Sequence, residues 1–383
     1  MSRFQSGHFQ AMVVAMTQKR VQVLYKKPLS ASLARSTVTG KTNTAFVKRW
    51  GRMFPSDESR DDCGDILDDP SKEWRERNKR ENQRINRAVE RLVDQKFRST
   101  FEVDKNISDT SVKRMHHLYT HGARLAGPEA AESVYDLAAV LHAQAPWLAE
   151  VSTSIMNQGL AHIAAGGVGL RFDPMILVGP PGCGKTHFAR LVAEFAGAPR
   201  AIIDVGAGGA GFRISGIEYG WATASSGGPV ELIAETAVAN PVIVVDEVCK
   251  AGGAMHSADR SATSLTTSLL QVLERSSAEH FVCPFLRTRF DLSHVNWILT
   301  ANYEHQIPAP LLDRCQVFRV DVSKPEHLVA FFNRAAGDDA EPGELERVGA
   351  FIEEMCDVGR PPSLRQIGRL AKSLRATRRD MLM

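Results

Sequence analysis

Hydrophobic positions follow two different patterns along the chain. Between residue 71 and about residue 166 they recur at three- and four-residue spacing, which predicts helices. The strongly charged segment 71–98 carries a narrow apolar stripe and is predicted to be one long helix. Further helices are predicted in SVKRMHHLYTHGARL, EAAESVYDLAAVLHAQ and WLAEVSTSIMNQGLAHIAAG. We find no strand pattern before residue 173.

At residue 173 the pattern changes, because short β-branched runs begin to alternate with helical segments. The runs are MILVG, AIIDV, VIVVD, VNWILT and VFRV. Strands that alternate with helices predict an α/β fold, with a five-stranded parallel sheet and helices on both faces. The strands then stop, and PEHLVAFFNRAA, LERVGAFIEEM and SLRQIGRLAKSLRATRR predict a small all-α lid. The expected domains are a tail and linker at 1–70, a helical region at 71–127, an α/β core at 128–322 and a lid at 323–383.

Charge is distributed unevenly, and this separates the tail from the rest. Residues 1–52 hold ten Lys or Arg and no Asp or Glu, while the whole chain has a net charge of +3, so the remainder carries −7. We interpret this segment as a disordered tail. A transit peptide, a nucleic-acid-binding arm and an extension upstream of a start at Met53 remain open. Residues 55–70 contain seven acids and only Arg60 as a base, which predicts a linker.

Composition excludes several classes of protein. Hydrophobic residues make up 43% and charged residues 24%, which excludes a collagen-like or wholly disordered chain. No apolar run approaches the roughly 20 residues of a membrane helix, so we expect a soluble protein without membrane contact. The six cysteines form no CxxC pair, which favours a reducing, intracellular setting. We therefore expect a cytoplasmic location.

The segment GPPGCGKT at 179–186 fits the phosphate-loop pattern G-x-x-x-x-G-K-[ST], between an apolar run and a helix. Glycines let several backbone N–H groups point at one phosphate chain, and the helix N-terminus favours its negative charge. Lys185 is expected to reach the β- and γ-phosphates of ATP, and Thr186 to ligate Mg²⁺. Cys183 is interpreted as a packing residue. The predicted nucleotide-binding residues are Gly179, Pro180, Pro181, Gly182, Cys183, Gly184, Lys185, Thr186, His187 and Asp246.

Polar residues follow two of the apolar runs. VIVVDE ends in Asp246 and Glu247, and a strand ending at the ligand edge would bring Asp246 to Mg²⁺ and Glu247 to the attacking water. VNWILTAN ends in Asn302, which would contact the γ-phosphate or orient the water. Arg314 follows in LLDRC and would stabilise a neighbouring subunit's phosphoryl group. Arg365 lies at the start of a lid helix, where it would sense the nucleotide.

These residues, in this order and spacing, resemble the AAA+ ATPases, and the likeness is closest to the ATPase module of the Lon proteases. The supporting text is LLQVLERSSAEHFVCPFLRTRFDLSHVNWILTANYEHQIPAPLLDRCQVFRV, together with VCKAGG, in which Lys250 stands where that family has its usual Lys. The resemblance covers about residues 130–380. It implies an ATP-driven hexameric ring with magnesium-dependent hydrolysis, and sensor and arginine-finger roles for Asn302, Arg365 and Arg314.

The chain departs from the Lon pattern at two places. The loop that grips substrate in Lon carries an aromatic and then an aliphatic residue, whereas this chain has Tyr219 and Trp221 around Gly220. These rings either contact polypeptide in a central pore or fold back onto the core. The chain also ends at Met383, where a Lon protease continues into its peptidase domain. We therefore expect no peptidase activity in this chain, and any proteolysis to come from a separate protease.

The sequence as a whole favours a protease-less, Lon-like AAA+ ATPase that remodels or threads polypeptide, with ATP and Mg²⁺ as ligands and an adaptor or separate protease as possible partners. Two alternatives remain open. The basic tail and the helix at 71–98, with ten Lys or Arg against five acids in residues 72–98, suggest a motor or loader acting on nucleic acid. The other alternative is a scaffold in which ATP only fixes the state of assembly.

Overall fold

The structure is a computed structural model, and it describes the chain in two compact units. The units are residues 25–120, and residues 1–24 together with 121–383. The described residues are 20–23, 107–218, 221, 223–250, 265–320, 324–337 and 342–381, with single helical positions at 79, 80, 83, 84, 87, 91 and 95. Every described position within the predicted helix 71–98 is helical.

A five-stranded parallel sheet forms the centre of the second unit, with strand order β11-β3-β10-β7-β4. This confirms the predicted α/β class. Three two-stranded antiparallel pairs accompany it, β1 with β2, β5 with β6, and β8 with β9. The strands are β1 (Arg20–Val21), β2 (Ala123–Arg124), β3 (Met175–Val178), β4 (Arg200–Asp204), β5 (Gly216–Ile217), β6 (Ser225–Ser226), β7 (Val242–Asp246), β8 (Phe281–Cys283), β9 (Thr288–Phe290), β10 (Asn296–Ala301) and β11 (Gln316–Arg319).

Helices cover the sheet and build the lid. The described helices are α1 (Asp109–His121), α2 (Ala131–Gln144), α3 (Ala149–Ala164), α4 (Lys185–Phe195), α5 (Ala210–Ser215), α6 (Gly228–Thr236), α7 (Leu265–Leu273), α8 (Arg275–Ala278), α9 (Ala309–Arg314), α10 (Pro325–Ala336), α11 (Pro342–Asp357) and α12 (Leu364–Met381). Short 3₁₀ turns cover Pro146–Leu148, Val205–Ala207 and Glu304–Gln306. None of the helices within the described ranges is long and apolar enough to cross a membrane.

The central strands are continuously apolar because both faces of the sheet are covered. Met175 and Leu177 of β3 belong to the core shared with α2, α3 and α4, and Ile176 on the opposite face is equally buried. The runs VIVV in β7 and WIL in β10 are also buried at every position. A strand with one face in water would alternate apolar and polar residues, so this pattern is the one expected of a buried parallel sheet.

The expectation that no strand precedes residue 173 is wrong. β1 pairs with β2, and the N–H of Asp291 donates to the carbonyl of Val23, which is fully buried. The predicted helix SVKRMHHLYTHGARL accordingly ends at His121, because the next residue, Gly122, has a φ of 66°. Both strands are two residues long, too short for an alternating pattern to be read from the sequence.

The side chains of two buried asparagines bond to backbone groups of the segment 126–172, which precedes β3. The Asn240 side chain accepts from the Ala126 N–H (2.8 Å) and donates to the carbonyls of Ala126 (2.7 Å) and Leu170 (3.0 Å). Asn296, at the start of β10, accepts from the Phe172 N–H at 3.1 Å. Backbone groups in this buried segment thus obtain partners that no strand provides.

We expect Asn240→Ala to lower the free energy of unfolding by about 1–3 kcal/mol, because the buried Ala126 N–H would lose its acceptor and the carbonyls of Ala126 and Leu170 would each lose one of two donors. Chemical denaturation measures this loss. Asn333→Ala is the matched control, since Asn333 is exposed on α10. Equal stabilities of the two variants would contradict the role assigned to Asn240.

Candidate functional site

The predicted phosphate loop, residues 179–184, connects β3 to the N-terminus of α4. Its backbone is left-handed at two glycines, with φ of 82° at Gly182 and 94° at Gly184. A Cβ on Gly182 would lie 2.8 Å from the Ser363 Cβ, and one on Gly184 would lie 2.9 Å from the Leu364 side chain. Glycine is therefore needed both for the backbone conformation and for the close approach of the lid.

Lys185 is the first residue of α4, directly after this loop, and is only 7% exposed. Its ammonium donates to the carbonyls of Gly179 (2.7 Å) and Pro180 (3.0 Å) and to the Asn302 Oδ1 (3.1 Å). The structure thus brings Asn302, predicted from a different strand, to the phosphate loop. The register explains this contact, because Val178 and Ala301 are partners in adjacent parallel strands.

Two hydroxyl groups and one carboxylate lie close together beside the loop. The Thr186 hydroxyl lies 3.1 Å from both oxygens of Asp246, and the Thr300 hydroxyl donates to Asp246 Oδ1. These are hard oxygen donors of the kind that Mg²⁺ prefers, so the residues fit the predicted magnesium site. Asp246 and Thr186 would hold the ion.

Thr300 is one member of this cluster that the sequence analysis missed. It is 1% exposed near the carboxyl end of β10, and besides contacting Asp246 it accepts the N–H of Glu247 at 3.1 Å. Glu247 has a φ of 62°, which is rare for a residue with a side chain. A hydroxyl inside an otherwise apolar strand was the available signal for this site.

The side chain of Glu247 forms an ion pair with Lys250, three residues further along the chain. The Glu247 carboxylate, first by its hydrogen bond and then by its charge, raises the pKa of Lys250. Because about a third of the Glu247 side chain and half of that of Lys250 are exposed, water screens the pair.

The lid contacts the phosphate loop through the backbone and through a tryptophan. The Leu364 N–H donates to the Gly182 carbonyl at 3.1 Å, which brings the first turn of α12 to the loop. Arg365 follows in that turn on its exposed side. Trp147, which the sequence did not indicate, donates from Nε1 to the Cys183 carbonyl at 3.0 Å and stacks edge-on against Phe331 of α10.

Burial and nearby charges shift the pKa values of two predicted nucleotide-binding residues, Cys183 and His187. Burial raises the pKa of the Cys183 thiol, which agrees with a packing role, while Lys185 opposes that shift. Desolvation, followed by the charges of Arg190 and Arg334, lowers the pKa of His187. The His187 ring lies 6.3 Å from Phe331, so this side chain faces the lid. Pro180 and Pro181 are exposed.

Arg314 is separate from this cluster within one chain. It ends α9, and its guanidinium donates to the Leu270 carbonyl (2.9 Å) and lies 3.4 Å from the Glu274 carboxylate. It lines an open cavity of about 950 Å³, and none of the residues that line it belongs to the phosphate loop. The contact with Glu274 orients the guanidinium at the surface.

Only one of the two predicted substrate-gripping rings can be described. Trp221 is 69% exposed between β5 and β6, so it does not fold back onto the core. Tyr219 lies outside the described residues.

Comparison with known proteins agrees with this site. Residues 175–321 match the model of the ATPase family associated with various cellular activities (AAA). The chain is 38% identical to a Lon protease of Chlamydia muridarum over 152 residues, which are 40% of this chain and 18% of that protein. It is 37% identical to a Lon protease of Magnetococcus marinus over 175 residues, 46% of this chain and 20% of that protein. A Lon protease 2 of Thermus thermophilus is 35% identical over 142 residues, 37% of this chain and 17% of that protein.

These matches confirm the resemblance inferred from the motifs. The chain spans about a fifth of the length of the relatives that it matches. The matched region contains the phosphate loop, Asp246, Glu247, Asn302 and Arg314.

We expect Thr300→Val to lower ATP turnover about 10- to 100-fold, because it removes a partner that orients a metal-binding carboxylate. Valine keeps the shape of the side chain, so the fold should be retained. The measurement is steady-state hydrolysis at varied Mg²⁺. Thr288→Val is the matched control, since Thr288 is equally buried but bonds to the Leu286 carbonyl in a hairpin. Wild-type turnover by Thr300→Val would remove Thr300 from the site.

Proposed function

We propose that residues 175–321 form an ATPase domain of the AAA family and that the chain couples ATP hydrolysis to the remodelling or threading of polypeptide in a ring of identical subunits. The observation that carries the proposal is the convergence of Lys185, Thr186, Asp246 and Asn302 at one end of the sheet. This set provides the contacts needed for a triphosphate.

Each residue has a role in this mechanism. Lys185 exchanges neutral carbonyl partners for phosphate oxygens, and Asn302, already within 3.1 Å of that ammonium, contacts the same phosphate or the water. Mg²⁺, when bound, neutralises charge on the phosphates. Glu247 accepts a proton from the attacking water, which then adds to the γ-phosphorus as the bond to ADP breaks.

Arg314 completes the site of a second copy. Within its own chain it is exposed, contacts Glu274, and lines an open cavity to which the phosphate loop contributes no residue. A guanidinium supplied by a neighbouring subunit stabilises charge on the transferring group. Hydrolysis would therefore depend on assembly, and a hexameric ring is the form that we propose. Arg365, beside the loop-contacting Leu364, would report nucleotide occupancy to the lid.

We expect Glu247→Gln to lower turnover about 10²–10⁴-fold, because a glutamine side chain cannot act as the base that accepts a proton from water. Arg314→Ala should lower it about 10³–10⁵-fold. Both variants should bind a fluorescent ATP analogue with nearly wild-type affinity, because neither residue contacts the phosphate loop. Glu353→Gln and Arg369→Ala, on the exposed surface of the lid, are the matched controls.

Rapid turnover by Glu247→Gln would refute its role as the base. Equal loss of binding and hydrolysis in Arg314→Ala would refute its action on a neighbouring subunit.

A second candidate function, action on nucleic acid, is favoured by one specific observation. Arg80, Arg84, Arg87 and Arg91 are helical and exposed, and their spacing puts them on one face of a helix. At 1.5 Å per residue this arginine ridge extends over about 16 Å. Such a row suits contacts with successive phosphates of a nucleic acid.

One experiment separates the two functions. We expect unfolded casein to stimulate steady-state ATP turnover, and Trp221→Ala to reduce that stimulation, because the exposed ring would lose its contact with an extended chain. Phe351→Ala is the matched control, since Phe351 is an exposed aromatic residue of the lid. Stimulation by DNA alone, falling steeply with salt, would contradict threading and support the arginine ridge as the functional surface.

A further inference from the structure

The catalytic carboxylate proposed above is already paired in this structure. Glu247 Oε2 contacts the ammonium of Lys250, and the Lys250 N–H donates to the Glu247 carbonyl at 2.9 Å in the turn that follows β7. The side chain that should receive a proton from water therefore has a cation as its partner.

Lys250 also lies against the end of the neighbouring strand. A Cβ added to Gly206 would be 3.1 Å from the Lys250 ammonium and 3.6 Å from Glu247 Oε2. Asp204, the last residue of β4, accepts the Gly206 N–H at 2.8 Å, and its charge adds to that of Glu247 around the ammonium. The ammonium of Lys250 and the carboxylate that it binds thus both lie close to the segment 204–209.

The segment 204–209 leads along the chain toward Trp221, one of the two residues predicted to grip substrate. Residues 204–209 continue into α5 and β5, and the chain then reaches the exposed Trp221. Gly208 and Gly209 both have positive φ, and a Cβ on either would meet nothing within 4 Å. The ion pair of Glu247 and Lys250 therefore lies close to the start of the path that leads to Trp221.

We propose that Lys250 is a positioning residue that restrains Glu247 and couples its release to the segment 204–209. The inference rests on the proposed function, because it concerns the same carboxylate. When that segment moves, the ammonium moves with it, and Glu247 turns toward the water. The 54% exposure of the Lys250 side chain suits such a device, because a solvated ion pair is weak and exchanges readily.

The test compares Lys250→Met with Lys250→Arg. Methionine keeps the length of the side chain without its charge, and we expect it to raise basal kcat about two- to fivefold, since an exposed pair restrains only weakly. The KM for ATP should not change, because Lys250 does not touch the phosphate loop. Casein should then stimulate turnover by a correspondingly smaller factor. Arginine should restore wild-type behaviour, and Lys372→Met, on the exposed face of α12, is the matched control.

A second readout does not depend on hydrolysis. We expect a non-hydrolysed ATP analogue to change the fluorescence of Trp221 in the wild type, assigned by its loss in Trp221→Phe, and to leave it unchanged in Lys250→Met. An unchanged or lowered basal kcat in Lys250→Met would overturn the restraint. A wild-type fluorescence response in that variant, or none in the wild type, would overturn the coupling. Failure of the proposed function itself would appear differently, as wild-type turnover no higher than that of Glu247→Gln.

Discussion

The hydrogen bonds around the Asp246 carboxylate are the constraint on which the rest of the site depends. Asp246 ends a strand that is buried on both faces, and a carboxylate there is costly unless polar groups surround it. Thr186 from α4 and Thr300 from β10 provide those groups, which fixes the helix and two strands relative to one another. Because Thr300 also accepts the N–H of Glu247, the same contacts determine where the backbone of the proposed base lies.

The features that could be predicted from the sequence are those encoded by a few consecutive residues. The glycine spacing of residues 179–184 and the short apolar runs are each contained in a few consecutive residues, and the α/β class and the AAA resemblance that they indicate are confirmed. The position of Asn302 at the end of an apolar run was also readable, and its contact with Lys185 arises because the carboxyl ends of parallel strands meet at one edge of a sheet. Motif spacing alone thus identified the loop, the strand ends and the helix that come together here.

The parts that were missed depend on residues far apart in the sequence. Trp147 bonds to a carbonyl 36 positions later, and no local pattern distinguishes it from an ordinary core tryptophan. The two residues of β1 pair with residues of β2 that lie 104 and 102 positions later, and a two-residue strand is too short to produce periodicity. Lys250 was noted only for its resemblance to the family, since the left-handed backbone of Glu247 and the approach of Gly206 appear only in three dimensions.

The central claim is that one hydrolytic site combines Glu247 of one copy with Arg314 of another. The most direct measurement mixes the Glu247→Gln and Arg314→Ala proteins, each inactive by itself, and follows ATP turnover as their ratio varies. If the site is shared, mixed assemblies contain junctions with both native residues, and turnover should reappear and be highest near equal amounts. If both residues act within one chain, no mixture has a complete site, and turnover that stays at the level of the separate variants would contradict the claim.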